Sequence, residues 1–173
     1  MSAHETVLTT ERLILRRFVL GDIPELRQVF DDWYAKRFYP EMGSLPMAER
    51  WVRRNIARYE EQGVGLWAAC LKETGEVVGD CGLIYQTIQE QQEVEVAYHL
   101  RADQRGKGLA TEAALACLDH GFNVLDCDRI VSMAHPDNHA SKRVAQRVHQ
   151  DWRRFTRDAA RYYLFHTTRE AHA

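Results

Sequence analysis

The stretch from Leu100 to Phe122, LRADQRGKGLATEAALACLDHGF, sets two glycines around one lysine directly before a long alanine-rich run. Unpaired amides at a helix start, with the positive end of the helix dipole, attract an anion, and glycine lets the backbone approach it closely. Arg105 and Lys107 add positive charge. The P-loop pattern GxxxxGK[ST] is absent, which argues against ATP by that route. A dinucleotide fingerprint would need glycine at position 111, which is Thr, and a parallel βαβ start, which argues against NAD. The residues leave a phosphate or pyrophosphate site, or else a plain glycine turn with solvated basic side chains.

Other residue groups invite chemistry. His135 and His139 have metal-ligand spacing, but Pro136 breaks any helix between them and no Glu follows His135 as HExxH requires, so no metal site is expected. Lys142, Arg143, Arg147, Arg153, Arg154 and Arg157 form a basic cluster that reads as a solvated face. Trp33, Tyr34, Phe38 and Tyr39 lie beside Asp31, Asp32 and Glu41. Aromatics with acids suit a cationic amine, and equally an ordinary core edge.

These residues need a scaffold, and 173 residues with 45% hydrophobic content suit one compact domain spanning positions 1–173. The net charge of -2 gives no global basic field, so nucleic acid is not an expected partner. Cys70, Cys81, Cys117 and Cys127 have no CxxC spacing, which fits a reduced chain. MSAHETVLTT lacks the form of a signal peptide, and no run of about 18 apolar residues occurs. A cytoplasmic protein with no membrane association is expected.

Residues 12–18 alternate as a first strand. Asp22 is placed to N-cap a helix with Pro24 in its first turn, and a second helix is expected over about 46–61. GLWAACLK, EVVGDCGLIYQ and EVEVAYHL read as an antiparallel meander. A helix then runs from the glycine loop to Gly121, DRIVSMA is a strand, and Asn138 caps a helix carrying Ala140, Val144, Ala145 and Val148. WRRFTR and RYYLFHTT close the order, which is that of an α/β (α+β) mixed sheet flanked by helices.

The segment Glu95 to Ala145 resembles the GNAT superfamily of N-acetyltransferases, whose acetyl-CoA signature is (Gln/Arg)-x-x-Gly-x-(Gly/Ala). Arg105-Gly106-Lys107-Gly108-Leu109-Ala110 matches each specified position. LTTERLILRRF, VEVAYHLRADQRGKGLATEA and NHAS resemble its RimJ/RimL branch, whose members acetylate protein N-termini and small amines. The resemblance implies a mostly antiparallel sheet of about seven strands and about four helices, splayed between the fourth and fifth strands. It implies acetyl-CoA as cosubstrate, with the pyrophosphate on the amides of Arg105, Gly106, Lys107, Gly108, Leu109 and Ala110, and Thr111 adding a hydroxyl. The backbone of Tyr98, His99 and Leu100 would pair with the pantetheine arm, and Asn138 would help hold it. The basic cluster could meet the 3'-phosphate of CoA. Dimers are common in the branch, and a homodimer stays open.

Acetyl transfer needs a neutral amine, yet α-amines (pKa about 8) and Lys (about 10.4) are mostly protonated at neutral pH. A base helps, and Glu95, ahead of Glu93, is the candidate. In a regular strand Glu93, Glu95 and Ala97 share one face and Tyr98 lies on the other, unless the bulge that the family usually carries intervenes. In RimL-like enzymes the residue matching Ser141 faces the sulfur, so Ser141 is the candidate to stabilise the leaving thiolate. Capping alone would also explain Asn138 and Ser141. The site of the tyrosine acid common in the superfamily is Ala145 here, and His149 stands where glycine is expected. The expected activity is transfer of acetyl to a primary amine, on a protein N-terminus or a small molecule, by direct attack in a ternary complex. A non-catalytic CoA-binding or regulatory module is the alternative.

Overall fold

The computed structural model describes residues 4–173. In chain order its elements are β1 (Thr6–Thr9), β2 (Leu13–Arg16), α1 (Ile23–Val29), α2 (Trp33–Phe38), α3 (Leu45–Gln62), β3 (Leu66–Leu71), β4 (Val77–Ile88), β5 (Gln91–Leu100), α4 (Leu109–Asn123), β6 (Arg129–Ala134), α5 (His139–Val148), β7 (Asp151–Arg157), β8 (Ala160–Thr168) and α6 (Arg169–His172). One mixed, mostly antiparallel sheet runs in the order β1-β2-β3-β4-β5-β6-β8-β7. The fold class is the expected one. Its eight strands and six helices exceed the expected seven and four because β1, α2 and α6 span only 4, 6 and 4 residues, too short for a clear period. Among the described residues no helix is long and apolar enough to cross a membrane.

The sheet is covered on both sides. On one, Leu13, Leu15, Trp67, Leu83 and Val96 pack with Leu109, Ala113, Cys117 and Leu118 of α4. On the other, Leu66, Ala68 and Ile84 meet Leu26, Val29 and Phe30 around α1 and Val52 of α3. Double burial explains the unbroken run of buried residues from Val77 to Ile84 in β4, where a half-solvated strand would alternate.

One local expectation is corrected. Asp22 precedes α1, but its side chain makes no cap bond there. It turns back to accept from the Val19 N–H at 2.8 Å and from both terminal nitrogens of Arg16, each at 2.8 Å. Arg16 and Asp22 are both buried, and a buried guanidinium left without its carboxylate is far more unfavourable than an uncapped helix start.

The feature that creates a site is the seam between β5 and β6. β4 and β5 stay in unbroken antiparallel register from Ile88↔Gln91 to Gly79↔Leu100, so β5 has no bulge against β4. β5 and β6 run parallel and register at one pair, Glu95↔Val131, beyond which they part. In an eight-strand count this is the splay expected between the fourth and fifth strands.

The meander depends on close approach at Gly82, where an added Cβ would lie 2.1 Å from Gly65 O and 2.7 Å from Leu66 Cα. Gly82→Ala is therefore expected to push β3 from β4 and to destabilise the protein by about 1–3 kcal/mol. Urea unfolding measures this, and an unchanged midpoint would show that the backbone yields freely there.

Candidate active site

The glycine loop enters α4 through two left-handed residues, Gly106 (φ 76°) and Gly108 (φ 83°). Gly108 occupies the cap position, and no side chain caps the first amides of α4. A Cβ at Gly106 would meet no atom within 4 Å, so the backbone lies open to a cleft of about 400 Å³. Thr111 Oγ1, from the first turn of α4, is buried without a hydrogen-bond partner beside that cleft. Gly106, Gly108, Leu109, Ala110 and Thr111 line the space with Arg143 and Arg147 of α5.

The two basic side chains of the loop serve other tasks. Arg105 forms a two-pronged pair with Asp32, at 3.0 and 2.9 Å, and its Nε donates to Leu100 O at 3.0 Å. Lys107 reaches Gln104 at 3.2 Å, and its carbonyl accepts from Arg12. Free positive charge on the cleft comes instead from Arg143 and Arg147, one helical turn apart.

The edge of β5 leads away from the loop. Arg101 N–H bonds Val78 O at 2.8 Å, and with the strand period of two this turns the backbone of Val96, Tyr98 and Leu100 toward β6. Val96 O accepts from Ser132 Oγ at 2.8 Å, and Leu100 O accepts from Arg105. Tyr98, between these two capped carbonyls, presents its N–H and C=O to the gap. Its phenol lies on the α5 side, donating to Ser141 O at 2.9 Å, and burial pushes that phenol's pKa upward.

On the other face of β5, Glu95 is 6% exposed and its Oε2 is buried without a partner. Burial raises its pKa, against opposing contributions from Gln86, the Met133 backbone, His99 and Arg157. Glu95 lines a second cleft, of about 690 Å³. Glu93 does not line it, and pairs with Arg129 at 3.5 Å. His99 Nδ1 meets buried Asp80 at 2.7 Å, and the other carboxylate oxygen of Asp80 accepts from Trp51 Nε1 at 2.8 Å. Sequence reasoning missed this group, although an acid within the apolar run EVVGDCGLIYQ was the available signal.

Asn138 caps α5 as expected, its Oδ1 accepting from Ser141 N–H at 3.1 Å and also from Tyr34 OH at 2.9 Å. Ser141 thus has its N–H and C=O engaged, and it lines both clefts. Tyr34 OH also accepts from Ala140 N–H at 3.2 Å. With Asp32 held by Arg105, α2 spans from the glycine loop to the start of α5. The acids noted beside these aromatics are already engaged or outside the clefts. Asp31 pairs with Lys36 at 2.8 Å, Asp32 with Arg105, and Glu41 lines neither cleft.

His149, in place of glycine, is buried at the base of the splay. Ser132 Oγ donates to Val96 O, so it accepts from His149 Nε2–H at 2.8 Å, and His149 Nδ1 accepts from Thr167 Oγ1 at 3.0 Å. This chain ties α5, β6 and β8 to β5 one step beyond the Glu95↔Val131 pair. Burial, then the positive field of His166, pushes the His149 pKa down to about 3. Ala145 is fully buried against Ala134 and Phe165, so no phenol stands one turn beyond Ser141.

The two clefts share Phe38, Tyr39, Tyr98, His99, Asn138 and Ser141. A glycine loop with uncapped helix amides, an open strand edge and a buried carboxylate therefore lie around one junction. The acetyltransferase (GNAT) domain family matches residues 12–150, and the chain belongs to that family. It is an acetyltransferase. It is 35% identical to the uncharacterized protein YkkB of Bacillus subtilis strain 168 over 83% of this chain and 84% of that one. It is 32% identical to the uncharacterized N-acetyltransferase p20 of Bacillus licheniformis over 76% of this chain and 74% of that one. RimL, the ribosomal L7/L12 alpha-N-protein acetyltransferase solved with coenzyme A, superposes with a TM-score of 0.75 at 19% identity, over 95% of this chain and 98% of its own.

The buried histidine carries a pH signature. The unfolded chain protonates His149 near pH 6.5, and the folded protein resists until about pH 3. Its stabilising contribution is present above pH ~6.5 and falls as pH drops through that window, by up to about 1.4 kcal/mol per pH unit. His149→Gln should be less stable at pH 7 and should show a shallower loss between pH 6.5 and 4. Denaturant melts across that range compare the slopes, and parallel slopes would remove His149 as their source.

Proposed function

We propose that this chain is an acetyl-CoA-dependent N-acetyltransferase of the RimJ/RimL kind, passing acetyl to a primary amine by direct attack in a ternary complex. The observation that carries this reading is the junction, where Ser141 from the cofactor side and the cleft of Glu95 meet around Tyr98 and His99. The residues present fit the cosubstrate. Open space over Gly106, uncapped α4 amides and the unpartnered Thr111 hydroxyl suit a pyrophosphate, and the free Tyr98 backbone suits an amide-bearing arm.

Bound acetyl-CoA supplies the acetyl group as a thioester. In this reading the loop from Arg105 to Thr111 holds the phosphates, Arg143 and Arg147 add the charge that Arg105 has committed to Asp32, and Asn138 keeps α5 in place beside the arm. Glu95 takes the amine proton directly or through water, and its raised pKa brings it closer to that task. Ser141 donates a hydrogen bond to the sulfur, which a hydroxyl less acidic than a thiol can do without losing its proton. No cysteine lines either cleft, and burial raises the pKa of Cys70, Cys81 and Cys127, so no thiol is placed to carry the acetyl group.

Gly106→Val fills the open space and strains a left-handed residue, so CoA affinity by calorimetry should fall by a large factor. Retention of wild-type affinity would remove the loop from the site.

Glu95→Gln should keep CoA affinity while turnover falls by roughly 10² to 10⁴. With one saturating acceptor from pH 6 to 9.5, that deficit should narrow toward the acceptor's own pKa, because neutral amine no longer needs a base. Equal activity at pH 7 would exclude Glu95 as base. Wild-type protein that binds CoA but acetylates no amine in a broad panel would instead identify a non-catalytic module.

A further inference from the structure

The larger cleft carries charge that the transfer chemistry does not use. Its lining includes Arg37, Arg54, Arg58 and Arg157, against the carboxylates of Glu95 and Asp158. Arg37 pairs with Asp137 at 3.2 Å, and Arg157 lies 3.9 Å from Asp158. Arg54 and Arg58, one turn apart on α3, have no carboxylate within 4.0 Å among the described residues. The nearest recorded side-chain partner of Arg58 is Asn55 Oδ1, at 3.3 Å. Their neighbour Arg53, on the solvent side, does have a carboxylate, Glu49 at 2.8 Å.

Like charges one helical turn apart repel, and Arg58, which is partly buried, has less water to screen it than the exposed Arg54. Arg58 registers both effects: burial and then the field of Arg54 lower its pKa. Such a pair is relieved by an anion, and guanidinium forks match carboxylate and phosphate oxygens. Glu95, at the same cleft, is the only buried carboxylate on its lining. The other carboxylate on the lining, Asp158, is exposed and lies beside Arg157, so four arginines face two acids there.

Resting on the acetyltransferase reading above, we infer that the acceptor is a small primary amine that itself bears an anionic group, a carboxylate or a phosphate. Its amine faces Glu95, and its anion is held by Arg54 and Arg58. The cleft volume of about 690 Å³ suits a small molecule of this kind. The arginines act in specificity, by orienting the acceptor.

The test compares kcat/KM for β-alanine, O-phosphoethanolamine, ethanolamine and 1,3-diaminopropane in the wild type, Arg54→Gln, Arg58→Gln, Arg58→Lys and the exposed control Arg53→Gln. The wild type should prefer an anionic amine to ethanolamine by roughly tenfold or more. Arg54→Gln and Arg58→Gln should erase the preference by raising KM for the anionic amines, with CoA affinity unchanged. Arg58→Lys should keep part of it, and Arg53→Gln all of it. β-Alanine and O-phosphoethanolamine identify which anion is held. Preference for ethanolamine or the diamine, or an anion preference that survives both glutamine variants, would overturn the inference while leaving acetyl transfer intact. Trp51 lines the same cleft, so its fluorescence reports binding independently of turnover. A response to the anionic amines alone that Arg58→Gln abolishes, without acetylation, would uphold the anion site and reject the transfer reading. Neither response nor acetylation with any amine would overturn both.

Discussion

The structure depends on one interruption: β5 and β6 pair at Glu95↔Val131 and then separate within a sheet that is otherwise continuous. Parting two central strands exposes backbone donors and acceptors that a folded protein cannot leave buried and unpaired. Here side chains resolve the problem at both ends of the gap. Ser132 caps Val96 O at the closed end and Arg105 caps Leu100 O at the open end, leaving Tyr98 between them. The site is a controlled defect in a ladder, bounded by two hydrogen bonds.

A gap of this kind must also be kept from collapsing or widening. His149 props its base through Ser132 and Thr167, and the histidine does so only while neutral, because its proton already goes to Ser132 and its free lone pair to Thr167. At the other end α2 lies across the clefts, fixed to the glycine loop by Asp32–Arg105 and to α5 by Tyr34–Asn138. A partly buried two-pronged ion pair holds direction as well as distance, which suits a short helix that could not stand alone. The same contacts explain why the arginine of the signature does not face the smaller cleft as a free charge.

Electrostatics then divides the work between the two clefts. The smaller combines helix amides with Arg143 and Arg147, an environment for phosphates. The larger pairs a buried, proton-seeking Glu95 with a rim of arginines. In the proposed reading, amine and thioester meet where the linings coincide, at Tyr98, His99, Asn138 and Ser141.

The amino-acid sequence alone determined what is local. Alternation in EVEVAYHL made β5, helical spacing after Gly108 made α4, and the cap at Asn138 started α5, because each signal repeats within a few residues of chain. The glycine loop was legible for the same reason, because its motif occupies contiguous positions, whereas Glu95 and Ser141, far apart in the chain, were joined at the sequence level only by the family resemblance. Tertiary structure decided the partners. Arg105 meets Asp32 across 73 positions, His149 finds Ser132 across 17, and Tyr34 reaches Asn138 across 104. Nothing in the period of a helix or strand encodes such pairs. They follow from strand order and from where the sheet parts, so the charge left on Arg54 and Arg58, and the burial that raises the Glu95 pKa, become visible only when distant segments have packed together.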